Sequence, residues 1–173
     1  IMPCNLYGPN DSFDLKHAHV LSSLVKKIYD AKVNLLPSIT LWGTGKAKRE
    51  LMHVDDAAEA TLFLIKNYKS HEFINVGTGL DLSIFELSEI IKSQIGYDGE
   101  IKWDNTKPDG MPRKCLNISK LNNLGFRHKT PIEKGIKQMI EFRNARIMIT
   151  RDEKYRRKTV YGSDKQAGCY AWN

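Results

Sequence analysis

Apolar residues recur at helical spacing along much of the chain. After His19, the residues Val20, Leu24, Val25 and Ile28 lie three or four positions apart, with lysines on another face. This spacing places the apolar side chains on one side of a helix and predicts a helix that begins near residue 20.

Two further helix starts carry an oxygen-bearing residue three positions before a glutamate. Ser83 and Glu86 form such a pair ahead of an apolar face that Gly96 ends, and Asp56 and Glu59 form another. In this pattern the first side chain caps the helix while the glutamate reaches back to the cap. Both pairs therefore predict capping boxes.

The last part of the regular pattern predicts two more helices. A short one is expected over 119–125, and a longer one from Thr130. Proline is well tolerated at the first helical position, so Pro131 suits that place, and Glu133 completes a third capping box.

Short apolar runs that end in turn residues predict strands between these helices. They occur in residues 1–10, 72–79 and 100–104. Strands that alternate with helices are typical of an α/β fold.

The periodic pattern fades beyond about Phe142, which divides the chain into two parts. Residues 1–142 carry nineteen Lys/Arg against seventeen Asp/Glu, whereas residues 143–173 carry eight against three. Most of the formal net charge of +7 therefore belongs to a basic tail, which we expect to be poorly ordered. The body has no basic stripe interleaved with aromatic residues, so we expect no nucleic-acid partner.

Composition further narrows the class of protein to which the chain can belong. The chain has 41% hydrophobic and 27% charged residues, values typical of one globular domain, and no apolar run approaches the roughly 20 residues that span a bilayer. Its three cysteines fit neither a disulfide framework nor a metal site. We therefore expect a cytoplasmic protein with reduced thiols, no membrane partner and no bound metal.

The segment 41–56, LWGTGKAKRELMHVDD, combines glycines, cations and an aromatic residue. Gly43-Thr44-Gly45 lacks the third glycine of a dinucleotide fingerprint, as does Gly77-Thr78-Gly79, so each is interpreted as a tight turn. Lys46, Lys48 and Arg49 can converge on an anion, and Trp42 offers a flat face for a base or sugar. A solvated basic turn explains the same residues.

A second polar loop and three histidines add candidate chemistry. Residues 107–114, KPDGMPRK, hold Asp109 as an acceptor among cations. Because the unperturbed pKa of histidine lies near neutrality, His17 and His19 are candidates for general acid or base catalysis, although a lone histidine is more often structural. His53 is interpreted as structural.

The ordered strings MPCNLYGPNDSFD, HAHV, WGTGKAKRELMHVDDAAEA, FINVGTGLDLSIFELSEII and KPDGMPRK resemble those of the GDP-L-fucose synthases. These enzymes are extended short-chain dehydrogenase/reductases. The resemblance covers about residues 1–142 and is to the C-terminal portion of the family. It implies a remnant of a Rossmann-type sheet joined to a small α/β substrate-binding domain.

The family converts GDP-4-keto-6-deoxy-D-mannose to GDP-L-fucose by epimerisation at C3 and C5 and reduction of the C4 ketone with NADPH. By resemblance, His19 is the acid/base residue of the epimerisation. The positions that match the family's NADP-binding residues are Pro3, Cys4, Asn5, Leu6 and His19. The positions that match its substrate contacts are Lys27, Trp42, Arg49 and Asp109.

The family's second acid/base group is a cysteine that precedes the matching segment, as do its glycine-rich NADP loop and its Ser, Tyr and Lys. Cys4 is not expected to replace that cysteine. Tyr161 and Lys165 have the spacing of the catalytic pair but lie in the tail, outside the resemblance. We therefore expect this chain alone to be inactive, and the intact enzyme to be a homodimer.

Two other functions remain open on the sequence. One is a stand-alone GDP-sugar binding module without catalysis, and the other is a related nucleotide-sugar epimerase or dehydratase. Binding without a cofactor requirement favours the first, and a different sugar preference favours the second.

Overall fold

A computed structural model describes residues 1–145 of the chain. The part of the predicted tail from residue 146, including Tyr161 and Lys165, lies outside the described residues. Strands and helices alternate as predicted. The strands are β1 (Met2–Pro3), β2 (Asn5–Tyr7), β3 (Ser38–Trp42), β4 (Lys48–His53), β5 (Asn75–Val76), β6 (Asp81–Ser83), β7 (Glu100–Asp104) and β8 (Arg113–Lys114). The helices are α1 (Val20–Val33), α2 (Val54–Asn67), α3 (Ile84–Ile95), α4 (Ser119–Asn123) and α5, which covers residues 132–145.

The strands join in three small groups with mostly parallel pairing. β4 pairs in parallel with β2 and β8 and antiparallel with β6. β1 pairs in parallel with β5, and β3 in parallel with β7. The partners are far apart in sequence, because parallel strands need a crossover between them.

β4 lies between two hydrophobic clusters and contributes to both. Leu51 belongs to a first cluster built mainly by α1, α3 and α5, and Met52 to a second cluster built mainly by α2, β5 and α4. Successive side chains of a strand point to opposite faces. One strand therefore supplies the core on both of its sides.

The capping box predicted for α3 is confirmed. The Ser83 hydroxyl accepts a hydrogen bond from the Glu86 N–H at 3.1 Å, and the Glu86 carboxylate accepts one from the Ser83 N–H at 2.8 Å. Gly96 ends the helix with φ +68°, a left-handed conformation that glycine adopts without strain.

The capping box predicted for Asp56 and Glu59 is wrong. α2 begins two residues earlier than Asp56, and its cap is His53, whose Nδ1 accepts a hydrogen bond from the Asp55 N–H at 3.3 Å. Glu59 instead pairs with Lys129 at 2.5 Å. His53 is buried, as its structural interpretation requires.

Asp56 caps the entrance to α5 rather than its own helix. Its carboxylate accepts hydrogen bonds from the N–H groups of Lys129 at 3.1 Å and Thr130 at 2.9 Å. α5 begins at residue 132, so Pro131 precedes the helix instead of occupying its first turn. For the Thr130 N–H, a buried aspartate from a distant helix supplies the acceptor that the sequence pattern assigned to Glu133.

α5 continues past Phe142, where the apolar pattern fades. Arg143 is buried, with its guanidinium carbon 4.0 Å from the ring centre of Tyr29 and one nitrogen 2.9 Å from the Asp30 carboxylate. Among the described residues, no helix is both long and apolar enough to cross a membrane.

Candidate functional site

The N-terminus of α1 and the strands β2 and β4 enclose a cavity of about 130 Å³. His19 caps α1 with extended backbone, so its side chain lies at the junction between the loop and the helix. The residues that line the cavity are Asn5, Leu6, Asp11, His19, Val20, Leu21, Arg49 and Leu51. The candidate acid/base residue therefore meets half of the predicted cofactor segment and one predicted substrate residue.

Pro3 and Cys4 do not line this cavity. Pro3 is exposed, whereas Cys4 is buried and belongs to the second cluster. Burial and the neighbouring Glu50 charge raise the pKa of the Cys4 thiol to about 12. A thiol with that pKa stays protonated at neutral pH and cannot act as a base, in agreement with the expectation that Cys4 takes no catalytic part.

Arg49 binds the polar loop after β7 to the start of β4. One of its nitrogens donates hydrogen bonds to the carbonyl oxygens of Lys48 at 2.8 Å and Met111 at 2.6 Å. Arg49 and Leu51 also line a second hollow, of about 410 Å³, whose far wall is residues 128–133. Lys46 and Lys48 line neither hollow, so of the three cations expected to converge only Arg49 faces them.

Asp109 holds the turn between β3 and β4. Its two carboxylate oxygens accept hydrogen bonds from the Thr44 N–H and the Thr44 hydroxyl, both at 2.6 Å. These bonds lower the pKa of Asp109 below its usual range. Gly43 lies against the same carboxylate with φ +82°, where a Cβ would collide with it. The tight turn predicted for Gly43-Thr44-Gly45 is thus confirmed.

Trp42 ends β3 with its ring 67% exposed. The Lys27 ammonium from α1 and the Lys107 ammonium from the loop after β7 each lie 5.8 Å from the centre of this ring. Two of the predicted substrate residues, Lys27 and Trp42, are therefore in contact. Asp109 and Arg49 anchor the loop that brings Lys107 to them.

Glu50 is a central residue that sequence reasoning missed. Its side chain is 1% exposed, and it accepts hydrogen bonds from the N–H groups of Thr78 and Gly79 at 2.7 Å and Leu116 at 2.6 Å. A buried carboxylate needs such partners. The signal in the sequence was an acidic residue directly before the apolar pair Leu51 and Met52.

Asp11 is a second missed residue. It lines the cavity with His19, and one of its carboxylate oxygens is buried without a hydrogen-bond partner in the described part of the chain. His17, in contrast, is exposed and pairs with Asp14 at 2.9 Å. The histidine that reaches the cavity is therefore His19.

A family model, "NAD dependent epimerase/dehydratase family", matches residues 1–77. GDP-L-fucose synthase 1 of Arabidopsis thaliana is 44% identical over 141 residues, which are 82% of this chain and 44% of the relative. GDP-L-fucose synthase of Escherichia coli (strain K12) is 38% identical over 147 residues, covering 79% of this chain and 45% of the relative.

Among solved structures, a GDP-L-fucose synthetase from Naegleria fowleri bound to NADP superposes with a TM-score of 0.77 at 32% identity. The superposition covers 82% of this chain and 45% of that one. The chain thus spans about half the length of the curated relatives it matches.

Proposed function

We propose that this chain forms the GDP-sugar-binding part of a GDP-L-fucose synthase. The chain is homologous to these enzymes and has the epimerase/dehydratase fold. The reaction would convert GDP-4-keto-6-deoxy-D-mannose to GDP-L-fucose, with epimerisation at C3 and C5 and reduction of the C4 ketone. NADPH would supply the hydride for the reduction. A cytoplasmic location and a homodimeric assembly stay predictions.

The meeting of His19 with Asn5, Leu6 and Arg49 in one cavity carries this proposal. Epimerisation and reduction of a keto sugar need an acid/base residue close to both the cofactor and the cation that binds the substrate. His19, beside the cofactor segment and Arg49, has this arrangement. Asn5 and Leu6 suit a cofactor that lies along β2, since atoms of both residues line the cavity. The Asn5 amide donates a hydrogen bond to the Glu50 carbonyl at 3.2 Å, which fixes its position. Pro3 and Cys4 have less support as cofactor contacts.

The chemistry of epimerisation explains the choice of His19. A C–H beside a ketone is weakly acidic, so a base removes its proton and an acid returns one from the opposite face. A neutral imidazole serves as the base near neutral pH. We assign one of these two roles to His19 and expect the other group from outside this chain.

Charged and aromatic side chains beyond the cavity suit the GDP moiety. Lys27 and Arg49 carry the positive charge that a diphosphate needs, and Trp42 offers an exposed aromatic face. Asp109 supports the site by holding its loop in place through Thr44. A direct substrate contact from Asp109 would require that it exchange these hydrogen bonds.

The test separates binding from catalysis. We expect this chain to bind GDP in calorimetry more tightly than UDP, and to show no activity alone. Equal affinity for UDP would favour a related nucleotide-sugar enzyme instead. A chimera in which this chain replaces the matching segment of the Arabidopsis relative should incorporate solvent deuterium at C3 and C5 of the substrate.

In that chimera, His19→Gln should abolish deuterium incorporation and leave GDP affinity within about twofold. His17→Gln is the matched control, because His17 is exposed and does not line the cavity. Retained incorporation in His19→Gln would remove His19 from the mechanism. A chimera that binds GDP-sugar but never exchanges would support a binding module without catalysis.

A further inference from the structure

Two lysines from distant parts of the chain meet at one exposed aromatic ring. Lys27 on α1 and Lys107 in the loop after β7 are 80 positions apart, yet each ammonium lies 5.8 Å from the centre of the Trp42 ring. A single cation–π contact at an exposed site contributes only about 0.5–1 kcal/mol. Two like charges at one ring also repel each other, so the arrangement calls for a further compensating charge.

Neither lysine has a carboxylate partner among the described residues, and a neighbour shows the contrast. Lys26, one position before Lys27, pairs with Asp30 at 2.5 Å. Lys27 points instead to Trp42. The Asp109 carboxylate, two positions after Lys107, accepts its hydrogen bonds from Thr44. Neither ammonium group at the ring forms an ion pair within the described chain.

The position of Lys107 is fixed by the loop that carries it. On one side the Asp104 carboxylate accepts hydrogen bonds from the Thr106 N–H and hydroxyl, and the Lys107 N–H donates to the Asp104 carbonyl at 3.1 Å. On the other side Asp109 binds Thr44. These two anchors hold the backbone of Lys107 in place, from where its side chain brings the ammonium group to the ring.

We infer that Lys107 is a further ligand-binding residue, which together with Lys27 forms a two-cation seat for the diphosphate of a nucleotide sugar. The inference rests on the proposed function and adds to it a residue and the group that it binds. A diphosphate carries the compensating charge that the seat lacks, and it interacts with ammonium groups more strongly than a neutral ring does. Binding exchanges the two cation–π contacts for two charge-assisted contacts and leaves the Trp42 ring open to a planar base.

Calorimetric titration of the full chain with GDP, GMP and inorganic pyrophosphate tests the seat. Lys107→Gln should weaken GDP binding about tenfold and GMP binding about twofold or less, because only the diphosphate spans both cations. Lys107→Arg should retain most of the affinity. Lys120→Gln is the matched control for the loss of one charge, since Lys120 pairs with Glu72 at 2.6 Å and not with Trp42.

The outcomes separate the inference from the function on which it rests. If the chain binds GDP and Lys107→Gln behaves like Lys120→Gln, the seat is wrong while the proposed function stands. If the unaltered chain binds neither GDP nor pyrophosphate, the proposed function and the seat are both overturned. Because Lys107 is exposed, circular dichroism should show an unchanged fold in every variant.

Discussion

The two hydrophobic clusters on either side of β4 differ in size. Among the described residues, the first holds fifteen buried residues, mainly from α1, α3 and α5, whereas the second holds nine. The residues of the proposed site lie around the first cluster. A large core fixes the elements that carry Lys27, Trp42 and His19, which is what a binding site needs.

The second cluster is joined to the rest mainly through buried carboxylates. Glu50 ties β4 to the turn at 78–79 and to Leu116, and Asp56 ties α2 to the entrance of α5. Buried charges with full sets of donors specify one arrangement, yet they cost much stability when a partner is lost. Three pairs of variants test this difference between the clusters.

The largest effect is expected from Glu50→Leu. The change leaves the N–H groups of Thr78, Gly79 and Leu116 without their charged acceptor. A hydrogen bond to a charged group is worth roughly 1.5–3 kcal/mol, so the free energy of unfolding should fall by about 5 kcal/mol. Urea denaturation measures it. Glu72→Leu, at an exposed ion pair, should change stability far less. A loss at Glu50 as small as that at Glu72 would show that the link between the clusters is dispensable.

A smaller effect is expected from a cavity made in each cluster. Ile91→Ala removes a side chain of 0% exposure from the first cluster and should cost about 4 kcal/mol, whereas Leu64→Ala in the second should cost about 2.5 kcal/mol. The second cluster is smaller, so the side chains around the new space can relax into it more fully. Equal losses in urea denaturation would mean that the size of the cluster does not distinguish the two cores.

The smallest effect is expected at two glycines with positive φ, one in each region. Gly43→Ala should cost about 2 kcal/mol, because φ +82° is strained for alanine and the new methyl meets Asp109. Gly125→Ala should cost about 1 kcal/mol, since φ is +97° but nothing lies within 4 Å. Thermal unfolding can rank the two. The reverse order would show that the Asp109 carboxylate moves aside freely.

The features that were predicted correctly from the sequence depend on interactions between residues that are close together in the chain. Ser83 and Glu86 are three residues apart and cap each other, so their pattern is sufficient. Asp56 and Glu59 have an equally good pattern, but residues 129–130 compete for Asp56 from more than 70 positions away. No spacing rule detects a competitor that only the folded chain brings close.

The same limit applies to the site. The resemblance selected Lys27, Trp42, Arg49 and His19, and the fold brings them to the same side of the molecule, in two groups around Trp42 and His19. The resemblance did not select Lys107 or Glu50. Their partners lie far from them in the sequence and come close only when the chain folds. The strand β4 itself was hidden in a segment whose glycines and cations suggested a turn, and β3 ends where that segment begins.

The alternation of side chains between the two faces of β4 limits which mutations the protein can accept. Arg49 and Leu51 face one cavity, while Glu50 and Met52 face the other side. Insertion or deletion of one residue between 48 and 53 would interchange the two faces, burying a guanidinium and turning the Glu50 carboxylate outward. A substitution at these positions changes one face of the strand, whereas a change in length alters both faces at once. Insertions and deletions should therefore be far rarer here than in the exposed loop at 69–73.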